Sequence, residues 1–461
     1  MVNNIDKQRI PEQILQVLNT LNINGYPSFL VGGCVRDLLL GKEPKDYDVC
    51  TKALPKTVKL LFPKVIATGI KHGTVTVLTE KLSVEVTTFR RKVNDQQSVD
   101  HLTGQMEFGT DVREDVLTRD FTINGILYDG NQVIDYVGGV TDLREGVVRG
   151  IRDAASRFRE DPLRMLRAIR FACQLEFKIE AETFAAIIHN RGLITKVAAE
   201  RIREELNKIL LSNQPSRGFQ LLQQSQLLRY ILPELEACYG FEQCNPYHTQ
   251  AVFDHILTVV ENVPPVLHLR WAALLHDIGK PLTFTMDQQG AGHFYGHDLK
   301  SYELAKEILI RLRFDNKLIR KVTLLVYEHM NKLKNPHRST LKRLINRVGA
   351  ENVEELLELQ IADVKRPGNE SDEAALSEVK NQIQMVLQQQ EPLSSKDLAI
   401  NGDDLKALGI KPGRLMGKII SELIEMVIEK PELNTKAALI EVVKGMGVSS
   451  EEVDNDAAID N

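Results

Sequence analysis

Between Leu30 and Val49 the chain reads LVGGCVRDLLLGKEPKDYDV, a stretch in which several groups suited to phosphate chemistry sit close together. Gly32 and Gly33 follow an apolar run and precede a segment of helical composition. Glycine lets the backbone approach a phosphate closely, and a helix N-terminus adds N–H donors and positive potential. Arg36 falls in the first turn and can reach the same anion. Ten residues on, Asp46 and Asp48 flank Tyr47, and strand alternation puts both carboxylates on one face. That spacing suits shared coordination of Mg²⁺, which neutralises a triphosphate and activates an attacking hydroxyl. An isolated DxD is most often a solvated turn; strand, double glycine, helix and DxD together within twenty residues are not. Glu85, in SVEVTTFR, is either a third carboxylate or an exposed cross-strand residue.

A second set lies far downstream. His255, His276, Asp277, His297, His329 and Asp363 occur in VFDHIL, LLHDIGKP, FYGHD, YEHM and IAD. Neutral imidazoles and carboxylates on facing helices clamp one or two divalent ions. A lone histidine on an apolar face is usually a core residue, but six candidate ligands in this order are not. His248, His268 and His293 are read as structural or exposed.

The elements that must position these groups divide the chain in two. Residues 12–24 have the periodicity of an amphipathic helix, SFLVGG (28–33) reads as a buried strand, and YDVC, TVTVLT and VEVTTF are short β-branched runs. After Gly150 apolar residues recur at helical spacing almost throughout. NQPSRG (213–218), CNPYH (244–248), VKRPGNESD (364–372) and QQQEPLSS (388–395) are plausible breaks. The expected class is α+β: a head of mixed sheet and helices over 1–148, then an all-helical neck (149–215), body (216–370) and tail (371–461) with an acidic, disordered end.

At 461 residues the chain needs more than one core. No run approaches the roughly 18 apolar residues of a membrane span, the N-terminus lacks a signal-like core, and five scattered cysteines form no CxxC pair. The expected setting is the cytoplasm, with no membrane partner. A net charge of −5 argues against a polyanion partner only on average. The last eleven residues carry five acids and no base, whereas 149–217 holds fourteen Lys or Arg against nine Asp or Glu, and binding follows the local field.

The stretch 30–49 resembles the polymerase-beta-like nucleotidyltransferases, and within them the class II tRNA nucleotidyltransferase and bacterial poly(A) polymerase family. The resemblance implies that Gly33 and Arg36 contact a nucleoside triphosphate and that Asp46 and Asp48 bind Mg²⁺. An RNA 3′ hydroxyl then attacks the α-phosphate and expels pyrophosphate. It extends through RDFTIN, where Arg119 can pair with phosphate and Asp120 and Asn124 can meet sugar hydroxyls. DYVGGVTDL (135–143) matches a linker, and AERIREELNKIL (199–210) a structural, RNA-facing helix. In EDPLRMLRAIRFA (160–172), Asp161 and Arg164 are expected three apart on one helix, facing the same way. There they would read the base edge as a pairing partner does, with Arg167 and Arg170 extending toward phosphates.

The downstream set resembles an HD-type metal-dependent phosphohydrolase with LHDIGKP at its centre. That implies a second divalent metal, Lys280 on phosphate, and hydrolysis of esters such as 2′,3′-cyclic phosphates on RNA ends. DLAINGDDLKALGIKPGRLMGKII resembles the family's tail, with GIKPG and Lys411 approaching RNA phosphate. One segment departs: RKVNDQQSVDHLTGQMEFGTD lacks the acid–Arg–Pro element that family tRNA enzymes carry in this loop, offering Asp95, Asp100 and His101 instead.

The expected activity is template-independent addition of CCA to the tRNA 3′ end from CTP and ATP. The competing readings are A-only or CC-only addition, poly(A) synthesis, or a phosphohydrolase whose head merely binds RNA.

Overall fold

The computed structural model describes residues 5–70, 73–92, 106–244, 250–365, 368–389 and 394–446. Asp95, Asp100, His101, His248 and the acidic end lie outside the described residues. The chain forms two compact units, residues 1–237 with 311–313, and 238–310 with 314–461. This division is coarser than the four domains expected from composition, and it groups the expected head and neck in one unit.

The first unit is built on a seven-stranded sheet. Helix α1 (Glu12–Ile23) buries Ile14, Val17, Leu18 and Leu21, the i, i+3, i+4, i+7 stripe that its sequence shows. Strand β1 (Ser28–Val31) leads through Gly32 into α2 (Gly33–Leu39). Strands β2 (Tyr47–Thr51), β3 (Val65–Gly69), β4 (Thr74–Leu78), β5 (Ser83–Thr88), β6 (Leu127–Tyr128) and β7 (Val133–Ile134) complete the sheet in the order β3-β4-β5-β2-β1-β6-β7. Strand β2 is central, antiparallel to β1 and parallel to β5, and its Val49, Cys50 and Thr51 are buried. A strand covered on both faces needs such an unbroken apolar run. On β5 Val84 and Val86 point inward while Ser83 and Glu85 face out.

After α3 (Val112–Thr118), RDFTIN forms a short 3-10 turn over Thr122–Asn124. The GG of DYVGGV caps the next helix, Gly139–Glu145, from a left-handed Gly138 at φ 78°. Gly139 has no such backbone need. A Cβ there would lie 2.2 Å from the Thr122 carbonyl oxygen and 2.8 Å from Ile126, so glycine is required for close packing against the RDFTIN turn. Then follow α4 (Ala154–Glu160), α5 (Leu163–Leu175) and α6 (Ala199–Leu210), the last coincident with AERIREELNKIL. Helix α5, which buries Leu166, Ile169 and Cys173, packs on α6.

The second unit is helical apart from a two-stranded hairpin. Its helices α7 (Val252–Asn262), α8 (Leu267–Leu275), α10 (Asn316–Glu328) and α11 (Val353–Val364) pack on one another, with α9 (His297–Arg311) between α8 and α10 in sequence. Trp271 is wholly buried among them, edge-on to Phe314 at 5.3 Å. In the tail, α12 (Arg414–Glu429) follows Gly413 and Lys411 precedes it in an exposed turn. No helix among the described residues is long and apolar enough to cross a membrane.

Gly139→Ala is expected to cost about 1–3 kcal/mol by forcing the helix off the RDFTIN turn. The check is a urea titration, in which the midpoint falls at unchanged slope; a midpoint within error of wild type refutes the packing account.

Candidate active site

A cavity of about 440 Å³ opens in the first unit, within the range of small-molecule sites. Its lining includes Asp48 and the whole set expected for the nucleotide: Gly33, Arg36, Arg119, Asp120, Asn124, Asp161, Arg164, Arg167 and Arg170. Gly32 lies beneath it at φ 80°, where a Cβ would sit 3.4 Å from Asp48 Oδ2. The turn therefore needs glycine for its backbone and for the carboxylate beside it.

Asp48 lies on β2, with Asp46 just before the strand and exposed. The parallel register sets Asp48 directly across from Glu85 on β5. Burial, with repulsion from Glu85 and Asp46 only partly relieved by Arg119, raises the Asp48 carboxyl to about 6. Asp48, with Glu85 across the strand pair and Asp46 two residues before it, offers carboxylate oxygens of the kind a divalent cation takes. The register thus favours Glu85 as the third carboxylate over a merely exposed cross-strand residue.

The arginines are held by a connected network. Arg36 Nη1 donates to Asn124 Oδ1 at 2.9 Å, and Asn124 Nδ2 donates to Asp120 Oδ1 at 3.1 Å. Arg167 grips Asp120 Oδ2 through Nε at 2.7 Å and Nη2 at 2.5 Å. Burial alone would raise the Asp120 carboxyl, but Arg167 and Asn124 hold it well below the usual carboxylate range. With the Phe121 N–H on Oδ1 as well, Asp120 is an organiser of the site, where the sequence suggested an acceptor awaiting a sugar hydroxyl. Arg119 is likewise fixed, by a fully buried Asp115 at 3.0 Å. Arg170 pairs with buried Glu205 at 2.7 Å.

One expectation is corrected. Asp161 is not on the helix with Arg164: α4 ends before it, and at φ −141° it is an extended residue ahead of Pro162 and α5. Proline disfavours helical geometry in the residue before it. Asp161 instead accepts both Arg201 guanidinium nitrogens of α6, at 2.9 and 3.3 Å. Arg164 donates to the Thr118 carbonyl at 2.9 Å. Both still line the cavity. Arg90, Thr118, Phe171 and Arg201 line it too and were not singled out from sequence. Only the four-residue spacing of Asp115 and Arg119 hinted at such partners.

Residues 28–149 match the Poly A polymerase head domain, 176–239 a probable RNA and SrmB-binding site of polymerase A, and 297–443 a tRNA nucleotidyltransferase domain 2. A CCA-adding enzyme of Lactiplantibacillus plantarum is 31% identical over 436 residues, 93% of this chain and 94% of that protein. One from Lactococcus lactis subsp. cremoris is 32% identical over 460 residues, 95% and 98% of the two chains. This chain belongs to the CCA-adding enzyme family. A structure of the Bacillus stearothermophilus CCA-adding enzyme with CTP superposes with a TM-score of 0.70 at 25% identity, covering 95% of this chain and 98% of that one.

This family member carries a second constellation in its helical unit. His255 on α7, His276 and Asp277 after α8, His297 opening α9, His329 after α10 and Asp363 on α11 converge. They form two groups of ligand atoms, His255–His276–Asp277–Asp363 and Asp277–His297–His329, with Asp277 common to both. His276, His297 and His329 each turn Nδ1 to a backbone carbonyl three residues earlier, at 2.8, 2.7 and 2.6 Å. A carbonyl only accepts, so Nδ1 carries a proton in each ring; although burial lowers it, Asp277 and Asp363 raise His276 to about 10. Nε2 of His297 and of His329 is buried without a hydrogen-bond partner. Burial and nearby His276 lower His329 to about 3, keeping it neutral. Such a donor set fits divalent metal. Lys280, expected on phosphate, lies 2.7 Å from Asp277 Oδ2, and Lys332 lies 2.5 Å from Asp363 Oδ2. His268 and His293 have partners elsewhere, Glu355 and Asp287.

The raised Asp48 carboxyl has a consequence for stability. It binds its proton more tightly in the folded chain than in the unfolded one, so its contribution is most favourable below about pH 4 and is lost as pH rises through about 6. In chelator at pH 7, Asp48→Asn is expected to raise the unfolding free energy by on the order of 1 kcal/mol, and by nothing near pH 4. Urea melts at the two pH values check this, and a destabilised variant at pH 7 contradicts it.

Proposed function

We propose that the protein adds CCA to the 3′ end of tRNA from CTP and ATP. The observation that carries the reading is a cavity whose lining brings together Asp48, Asp161 and Arg164. Membership of the CCA-adding family supports it.

Arg36, Arg167 and Arg170, with the Gly33 backbone, hold the triphosphate. Asp161 accepts from the amino group of the incoming base, and Arg164 donates to the ring nitrogen beside it. Cytosine and adenine both offer an amino group next to an acceptor nitrogen. Uracil and guanine present a carbonyl there, which faces the Asp161 carboxylate with no proton to share; such a mismatch costs about 1–3 kcal/mol. One acid–guanidinium pair therefore selects C and A together. Arg201, gripping both Asp161 oxygens, sets the direction of that acceptor. Asp46, Asp48 and Glu85 are the residues that would hold Mg²⁺, which when bound neutralises the triphosphate and acidifies the attacking hydroxyl. The tRNA 3′ oxygen forms its bond to the α-phosphorus as the α–β anhydride bond breaks and pyrophosphate leaves.

A second activity is favoured by the helical cluster. Four imidazoles and two carboxylates converging, with Nε2 of His297 and of His329 buried without a hydrogen bond, suit a metal-dependent phosphohydrolase, with phosphate esters at RNA ends as substrate. Lys280 and Lys332 would move from carboxylate to phosphate on binding.

Three tRNAs ending in the discriminator base, in C and in CC, offered each nucleotide with Mg²⁺, test the first reading. Products of three, two and one added residues are expected. A-only, CC-only or processive A products each point to the corresponding alternative, and no extension with cyclic-phosphate hydrolysis points to a phosphohydrolase with an RNA-binding head. Asp48→Ala is expected to abolish addition and spare hydrolysis, and His276→Ala with Asp277→Ala to do the opposite. Asp161→Ala should erode the choice of C and A over U and G by about tenfold or more while tRNA affinity holds; intact selectivity rules out base reading by this residue.

A further inference from the structure

Seven arginines and three aspartates line the cavity, and three of those arginines surround one benzene ring. The Cζ atoms of Arg36, Arg167 and Arg170 lie 5.2, 5.3 and 4.2 Å from the Phe171 centroid. Arg36 comes from α2 and the others from α5, so the ring is where two elements deliver like charges to one place. Phe171 is 5% exposed and has no group able to react. Each guanidinium also has a carboxylate, Asp37, Asp120 or Glu205.

Packing cations this closely is unfavourable unless something offsets their repulsion. A further carboxylate would offset it but would also cancel the charge that a triphosphate must meet. An aromatic face offers negative potential and no net charge. It can help hold the three guanidiniums in place without adding to the negative charge that Asp37, Asp120 and Glu205 already bring. The ring is itself held: Phe121 stands edge-on to it, centroids 5.8 Å apart and planes at 80°, and Phe121 directly follows Asp120, the partner of Arg167.

We infer that Phe171 is a positioning residue for triphosphate binding, fixing Arg36, Arg167 and Arg170 through cation–π contacts. The inference rests on the reading that this cavity receives the triphosphate.

The test replaces Phe171 in the full chain with 4-fluoro-, 3,5-difluoro- and 3,4,5-trifluorophenylalanine. These keep the ring's shape and progressively drain the negative potential of its face. Dissociation constants for CTP and for inorganic tripolyphosphate are measured by calorimetry, with thermal unfolding alongside. Both constants are expected to rise stepwise with fluorine content, by about three- to tenfold across the series, and KM for CTP to rise more than kcat falls. Phe171→Leu, which keeps apolar bulk without a π face, should weaken tripolyphosphate binding at least as much as the last member. A purely structural ring would shift unfolding without affinity tracking fluorine content. Flat or tightening affinity along the series, with Arg36→Ala and Arg167→Ala weakening tripolyphosphate, overturns the inference alone. If those two alanine variants leave tripolyphosphate binding unchanged, the triphosphate reading itself fails and the inference with it.

Discussion

The carboxylate of Asp120 joins the sheet-bearing head to the helix that carries the arginines. One oxygen takes the Phe121 N–H and the Asn124 amide, and the other takes both forks of Arg167. Asn124 in turn holds Arg36. Removing this acid would strand a guanidinium in a half-buried setting already crowded with cations, the situation in which breaking one side of an ion pair is most damaging. The glycine turn, the strand bearing Asp48 and the helix bearing Arg164 can share one cavity because this junction fixes their relative placement.

Charge separation within the cavity follows from that junction. At the strand end, Asp46, Asp48 and Glu85 repel one another enough to raise Asp48. A few residues away, burial and nearby Arg167 and Arg36 outweigh Glu205 and lower the Arg170 guanidinium to about 10. Neither cluster neutralises the other, since Arg119, the cation nearest Asp48, is occupied by Asp115. The site therefore stores unfavourable electrostatics of both signs, which the proposed metal–triphosphate would relieve.

Local patterning made much of this legible. The double-glycine turn and the strands around it follow from periodicity and turn residues, the helix at 199–210 from the family resemblance, and the six converging histidines and aspartates from residue type and order. What escaped depended on partners distant in the chain. Pairing of β2 with β5 spans the intervening hairpin strands, so nothing local put Glu85 opposite Asp48. Arg201 meets Asp161 across forty residues, and nothing in the local sequence singles out Phe171. Asp161 is a different kind of miss. The proline after it signalled a non-helical residue, and the three-residue spacing to Arg164 was given more weight than that signal.

The histidines that close α8 and α10 have a task apart from the proposed ligation. A helix leaves its final carbonyls without intrahelical donors, and His276 and His329 supply one each, to Ala273 and Val326. The same imidazole thus finishes a helix with one nitrogen and offers a ligand with the other. A descendant without the proposed hydrolysis would still be under pressure to keep imidazole at both positions, for the sake of folding alone. Persistence of these two residues across relatives is accordingly a record of helix termination as much as of chemistry, whereas Asp277 and Asp363, buried acids beside Lys280 and Lys332, are the positions where lost chemistry would first be written.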